Sequence, residues 1–476
     1  MNVPAELLQK DRFYTTKILL KKPRITIITH MNILGIIAEF NPLHTGHEYL
    51  MQNLRRETGA EFCVVVMSGD YVQRGEPAFF SKFLRTRAAL SCGADLVLEL
   101  PLSVSTGSAE YFAQGAVSLL SRLNCITNLG FGSESGDIHA LEVAGKLLSK
   151  EPETYRNLLQ KFLKTGMNFP KARYEALSAF LTVQASQNSG SADDCFLSPD
   201  ILSLLNGPNN ILGTEYMKAL YSLNSSITPV TIKRIGAGYH EEIDLYGGKS
   251  ISAAEKSSPK SDPTDSTYAS ASGLRKAFLS SPDSEETNIL LENYVPKACH
   301  SLFLNALHQR QYVTFDDFFL PLYHTLQYAD TDMLSCYQDV TPEFSGRLLH
   351  VFRQCSSVTG LHAALKTKNL TSTRINRALL HILLHLTKDT VAAQKEQGYA
   401  LYARILGFRK EAKPLLAQIK QHASIPLVSK LADAPGYLSP SALSQLEQTI
   451  KASELYRAAL PGAKSGSEYS QNIIVL

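Results

Sequence analysis

The stretch Ile33-Leu-Gly-Ile-Ile-Ala38, continued by Glu39-Phe-Asn-Pro-Leu-His44-Thr-Gly46-His47, carries most of what this sequence says about its fold. Its first part is an apolar run without polar interruption, the pattern of a strand buried on both faces of a parallel sheet. Phe62–Met67 and Leu96–Leu100 repeat that pattern, the latter closed by Pro101. Between the runs lie His47–Arg56 and Phe83–Cys92, helical in pattern and long enough to cross over. Strand, helix, strand, helix, strand from Ile33 to about Gly132 predicts an α/β domain: a Rossmann-like, doubly wound parallel sheet with right-handed connections. Ligands of such sheets sit beyond the carboxyl ends of the strands, in the loops after Ala38, Met67 and Leu100.

The first of those loops has the strongest chemistry. An H-x-G-H group opening a helix after a buried strand lets a nucleotide approach Gly46 closely. The helix start then offers free N–H groups and its positive dipole end to phosphate. His44 and His47 can hydrogen-bond phosphate oxygens as charge builds during attack at an α-phosphorus, with Asn41 and Pro42 fixing the loop. A metal-binding pair, or two histidines that merely cap a turn, are the other readings of the same residues. A second, distal phosphate clamp is expected at Ser270-Ala-Ser272-Gly-Leu-Arg275-Lys276; its plainer reading is a Ser N-cap followed by a solvated Arg. Polar segments at Ser68–Pro77, Gly166–Arg173, Pro208–Gly213 and Ile232–Gly238 could add contacts to a base or phosphate.

The whole chain of 476 residues allows two or three domain-sized units. Apolar residues at 44% and charged residues at 19% give a foldable core, and no run is long enough to span a membrane. The 47 basic and 44 acidic residues leave +3, so any surface for nucleic acid must be local. Seven scattered cysteines without a C-x-x-C pair argue against a disulfide framework and a thiolate zinc site, and fit a reducing cytoplasm. Residues 1–30 are basic and unlike the rest; they read as a loosely held extension or a mis-assigned start, Met31 standing before the first strand, the alternative being an organelle-targeting or RNA-contacting arm. Ser-rich stretches near 185–194 and 253–266 read as insertions. From about 286 to 476 the pattern is helical: Tyr294–Gln309, Phe315–Tyr328, Glu343–Gln354, Arg374–Leu386, Gly398–Leu406, Lys413–His422 and Ser441–Leu460.

Taken together, Gly35–His47, the Met67–Pro77 loop, Gly93–Pro101, Phe131–Glu134, Pro170–Arg173, Pro208–Gly213, Lys233–His240 and Tyr402–Arg409 resemble the bacterial tRNA(Met) cytidine acetate ligases. The resemblance runs from Met31 through most of the C-terminal half. It implies a nucleotidyltransferase-like ATP/acetate domain over 31–285 and a helical tRNA-binding domain over 286–476. It also implies a two-step reaction, in which acetate and ATP give acetyl-adenylate and diphosphate. The wobble cytidine of elongator tRNA(Met) then becomes N4-acetylcytidine, with release of AMP. The implied ATP site is Ile37, Ala38, Glu39, Phe40, Asn41, Pro42, Leu43, His44, Thr45, Gly46, His47, Glu48, Tyr49 and Leu50, with Gly132, Asn210 and Arg234. His44 and His47 would be catalytic, and Ser270, Ser272 and Arg275 would be the clamp. Phe40, Leu43 and Thr45 depart from the residues common in the family.

Mg²⁺ is expected as the counter-ion of ATP, with no all-protein metal cage, and no obligate protein partner is implied. A second substrate of RNA needs a basic surface, and Leu361–Lys430 supplies twelve cations against three acidic residues. Arg374, Arg377, Arg404, Arg409 and Lys410 are the expected contacts; a solvated helical face is the plainer reading. Two other functions share the H-x-G-H loop. One is a nucleotidyltransferase acting on a small phosphorylated cofactor precursor, the other a non-catalytic RNA-binding protein with a degenerate nucleotide site.

Overall fold

The computed structural model describes residues 31–167, 169–187, 207–234, 269–280, 282, 284–368, 370–461 and 466–476. The basic N-terminal stretch and nearly all of both Ser-rich insertions lie outside them. The described residues from Asn32 to Leu476 form one compact unit.

The apolar runs become strands where expected: β1 (Ile33–Ala38), β2 (Phe62–Ser68), then the short hairpin β3 (Tyr71–Val72) and β4 (Glu76–Pro77), then β5 (Leu96–Leu100). Asn128–Ser133 forms β6 and Thr228–Lys233 forms β7. Strands β1, β2, β5, β6 and β7 pair with one another in parallel, in the order β5-β2-β1-β6-β7. The chain moves outward from β1 to β2 and β5, then returns to the other side of β1 with β6. That reversal opens a crevice at the carboxyl ends of β1 and β6, where open α/β sheets bind ligands. The expected fold class therefore holds, with the site end of the sheet located.

Helix α1 (Thr45–Thr58) follows β1 and ends on Gly59, which sits in the left-handed region at φ 61°. Helix α2 (Lys82–Ser91) follows the hairpin. Its Arg85 is wholly buried and donates from Nη1 to the backbone oxygens of Glu39 (2.6 Å) and Ser68 (3.0 Å). One guanidinium thus joins the loops after β1 and β2.

One expected helix is absent. Ala403–Phe408, overlapping the end of the predicted helix Gly398–Leu406, is a buried strand, β8, antiparallel to β5. A short apolar run buried on both faces has no periodicity to separate strand from helix. Partner strands decide, and β9 (Leu427–Val428) and β10 (Ile474–Val475) also pair with β8. The half beyond 286 is otherwise largely helical, yet its three strands complete the sheet, and residues from Leu290 to Leu307 share a core with β1 and β2.

Candidate active site

A cleft of about 280 Å³ lies at the carboxyl ends of β1, β6 and β7. Of the residues expected to bind ATP, Ile37, Ala38, Glu39, Phe40, Asn41, His44, Gly46, His47, Tyr49, Leu50, Gly132 and Arg234 line it. Ser270, Ser272 and Arg275 line it too, so the topology brings the segment expected as the distal clamp to the H-x-G-H loop across more than two hundred residues.

His44 is the N-cap of α1 and its ring is buried. Gly46 N donates to His44 Nδ1 (3.1 Å), and His44 N donates to His47 Nδ1 (3.3 Å). The two rings lie 3.8 Å apart, and Phe40 meets His47 edge-on. Each Nδ1 is therefore an acceptor, which assigns the proton of each neutral imidazole to Nε2. Burial, and secondly Arg234, lowers the His44 pKa to about 3, and burial holds His47 well below its usual range. Both rings are thus neutral donors at neutral pH. Capping and phosphate recognition, alternatives in the sequence, are compatible in these rings, since capping uses Nδ1 and not Nε2.

The electrostatics favour an anion. Among the described lining residues stand Arg74, Lys233, Arg234 and Arg275 against the single carboxylate Glu39. Burial raises the Glu39 pKa, opposed by the Gln73 N–H that donates to it (2.7 Å) and by Arg74. Arg275 Nη1 donates to Asn41 O (2.7 Å), tying the clamp helix Ala271–Ser280 to the H-x-G-H loop. Ser270 Oγ accepts from Gly273 N (3.1 Å), so this serine is both helix cap and cleft wall. Asn41 Oδ1 accepts from Phe79 N (2.7 Å), which fixes the loop from the other side.

Five expected residues do not line the cleft: Pro42, Leu43, Thr45, Glu48 and Asn210. Leu43 is in the core. Asn210 is buried, its N–H donating to Glu134 Oε2 (2.6 Å) and its Oδ1 accepting from Ser135 N (3.1 Å). Its neighbour Asn209 faces the cleft instead and accepts from Arg234 Nη1 (2.9 Å). A Cβ on Gly132 would meet Arg234 Cγ at 3.2 Å, so this glycine lets the arginine cross close over β6.

Sequence reasoning missed the apolar wall made by Phe112, Leu212 and Tyr216, with Phe131 edge-on to Tyr216 at 5.5 Å. Apolar residues on an amphipathic helix look like core, and no local signal marks them as facing a ligand. Of the expected RNA contacts, Arg404 is corrected: it is 4% exposed and paired with Glu99 and Glu468, each at 2.8 Å. Its charge is spent inside the protein. Arg409 and Lys410 follow β8, which runs antiparallel, and so lie beside Asp95 at the sheet end opposite the cleft. Arg374 is exposed, and Arg377 is paired with Asp339 (2.8 Å).

The histidine environment makes stability pH-dependent. An unfolded histidine titrates near 6.5, whereas folded His44 stays neutral until about pH 3. Between these values the unfolded chain binds more protons, so stability is complete above about pH 6.5 and is lost as pH falls toward 3. Denaturant midpoints at pH 7.5 and pH 5 should differ, and the difference should shrink in His44→Gln. An equal difference in both proteins would show that His44 is not the source.

No helix among the described residues is long and apolar enough to cross a membrane. The model of the HIGH Nucleotidyl Transferase family matches residues 31–472. The chain is 36% identical over 450 residues to a tRNA(Met) cytidine acetate ligase of Acetivibrio thermocellus, a match covering 94% of this chain and 100% of the relative. One of Clostridium perfringens is 35% identical over 442 residues, covering 92% and 98%. Among solved structures, Thermotoga maritima TmcAL bound with alpha-thio ATP superposes with a TM-score of 0.81 at 26% identity, over 94% of this chain and 100% of that one. With an H-x-G-H cleft at the switch point of a parallel sheet and relatives matched over nearly their whole length, this chain belongs to the tRNA(Met) cytidine acetate ligases of the HIGH nucleotidyl transferase family.

Proposed function

We propose that this enzyme joins acetate to ATP and passes the acetyl group to N4 of the wobble cytidine of elongator tRNA(Met). An acetate oxygen attacks the α-phosphorus, the bond to the bridging oxygen breaks, and diphosphate leaves. The cytidine amine then attacks the acetyl carbonyl, AMP leaves, and the nitrogen gives up a proton. The observation that carries this reading is the pair of neutral imidazoles held as Nε2–H donors at a helix N-terminus, in a cleft with four cations and one carboxylate among its described lining residues.

Catalysis of the first step is then positioning and charge stabilisation. His44 and His47 would donate to the α-phosphate as charge grows. Arg275, Ser270 and Ser272 would hold the leaving diphosphate, and Phe112, Phe131 and Tyr216 would pack against the adenine. Mg²⁺ would enter on the triphosphate oxygens, because Glu39 is the one carboxylate among the described lining residues and the described residues contain no group of three metal-ligating side chains. In this reading the protein works in the cytoplasm.

Radiolabelled acetate, ATP and total bacterial tRNA, followed by nucleoside mass spectrometry, test it. Label in N4-acetylcytidine that depends on ATP and tRNA is the expected result. Acetate-independent adenylation of a small phosphorylated acceptor would replace this reading with the cofactor nucleotidyltransferase. RNA binding without any ATP turnover would favour a degenerate nucleotide site.

A further inference from the structure

A second cavity, about 1010 Å³, opens beside the ATP cleft, and Gln73 and Ala109 line both. Its size reaches the top of the range of ordinary small-ligand sites, roughly 300–1,000 Å³, and far exceeds what acetate needs. Its lining includes Gly166, Met167 and Phe169 at the start of helix Phe169–Gln187, together with residues within 339–347 and 367–377 of the helical half.

Four arginines and four carboxylates line this cavity, and most of them cancel. Arg173 is paired with Glu215, Arg377 with Asp339, and Glu110 with Lys218. That leaves Arg347, Arg374 and Glu343, and among the described residues neither of these two arginines makes an ion pair. Both are exposed. Phe169, also lining the cavity, is 50% exposed and Leu163 38%, unusual exposure for large apolar side chains. Two exposed cations and an exposed aromatic ring lining one cavity match single-stranded nucleic acid: phosphates for the guanidiniums and a base face for the ring.

We infer that this cavity seats the unpaired nucleotides flanking the acceptor cytidine, with Phe169 stacking on a base and Arg347 and Arg374 taking phosphates. The cytidine itself passes the boundary at Gln73 and Ala109 to reach the adenylate. Gly75 keeps that boundary tight. It holds φ +79°, and a Cβ there would meet Arg377 N at 2.3 Å, so the hairpin bearing Gln73 and Arg74 lies directly against the wall of the second cavity. The inference rests on the reaction proposed above and adds where the RNA enters.

The test separates the two. Acetate-dependent ATP–diphosphate exchange reports the cleft alone, while acetyl transfer to an anticodon stem-loop of tRNA(Met) reports both. Phe169→Ala, Phe169→Tyr and the double variant R347A/R374A are compared with wild type in the full chain. Exchange should stay within about twofold in all three. In Phe169→Ala the kcat/KM for the stem-loop should fall roughly tenfold or more, the loss of one base–aromatic stack, and Phe169→Tyr should restore it. The double variant should lose affinity and lower the salt slope by about 1.4, at roughly 0.7 per single-strand phosphate. Normal exchange with unchanged transfer in both Phe169→Ala and R347A/R374A would overturn the RNA seat and leave the ligase reading intact. So would loss of exchange together with transfer, which would place these residues in the cleft's own support. Absence of acetate-dependent exchange in wild type would overturn the ligase reading first.

Discussion

Replacing His44 with alanine is expected to lower acetate-dependent ATP–diphosphate exchange by about 10²- to 10³-fold, the usual loss when one preorganised donor to a developing oxyanion is removed. The effect is large because two functions vanish together. The Nε2–H donor is lost from the cleft, and Gly46 N loses the Nδ1 acceptor that caps the first turn of α1. His44→Asn should separate them: a side-chain oxygen can cap the helix, so stability returns while most of the rate does not. Single-turnover adenylate formation and a denaturation curve, measured on both variants, read the two quantities independently. Adenylation at the wild-type rate in His44→Ala would remove the histidine from the chemistry. RNA binding by the stem-loop should be unaffected in both, since the second cavity does not include this residue.

Substituting Lys82 with methionine is expected to cost about 3–5 kcal/mol of stability, the range for breaking a buried ion pair from one side. Lys82 is 0% exposed. Its Nζ donates to Glu99 Oε1 and Ser453 Oγ, both at 2.8 Å, and lies 2.5 Å from Glu468 Oε1 and 3.6 Å from Asp70 Oδ2. Arg404 bridges Glu99 and Glu468 from the other side. Removing the ammonium leaves Arg404 as the one cation of the network beside three carboxylates. Burial already raises the Asp70 pKa, with Lys82 the largest force opposing it. The second replacement Glu99→Leu in the Lys82→Met background should recover part of the loss, because it removes a charge that has lost its partner. Denaturant midpoints of the two single variants and the double variant give the coupling. Additive losses would mean that the pair does not act as a unit. Lys82 begins α2, whose Arg85 fastens the β1 and β2 loops, so the Lys82→Met protein should also lose adenylation at temperatures where it remains folded.

Much of the candidate site was legible because its chemistry is local. A buried strand, a turn with Gly46 and a helix start are consecutive in the chain, and the two histidines three positions apart with their intervening glycine need no distant partner to meet one another. The segment expected as the clamp was singled out for the same reason, Ser270 standing at a helix start. The failures have one physical origin as well. Asn209 and Asn210 differ in which one faces the cleft, and that choice is made by Glu134, which caps the helix Pro208–Ser222 through both backbone N–H groups. Arg404 lay within the cation-rich window, but its burial is set by Glu99 and Glu468, which are 305 and 64 residues away. The strand β8 was misread because a doubly buried run has no exposed face to mark its period.

The sequence alone determined the parallel strand–helix order and the family, and it singled out the H-x-G-H loop and the Ser270–Arg275 segment, because these follow from hydrophobic period and short-range spacing. Only the tertiary structure decided which face of each helix meets the ligand, which arginines stay at the surface, and where a second cavity adjoins the first. Those outcomes depend on contacts between residues hundreds of positions apart, and burial and pairing, rather than residue type, decide whether a charged or aromatic side chain is core, cap or contact.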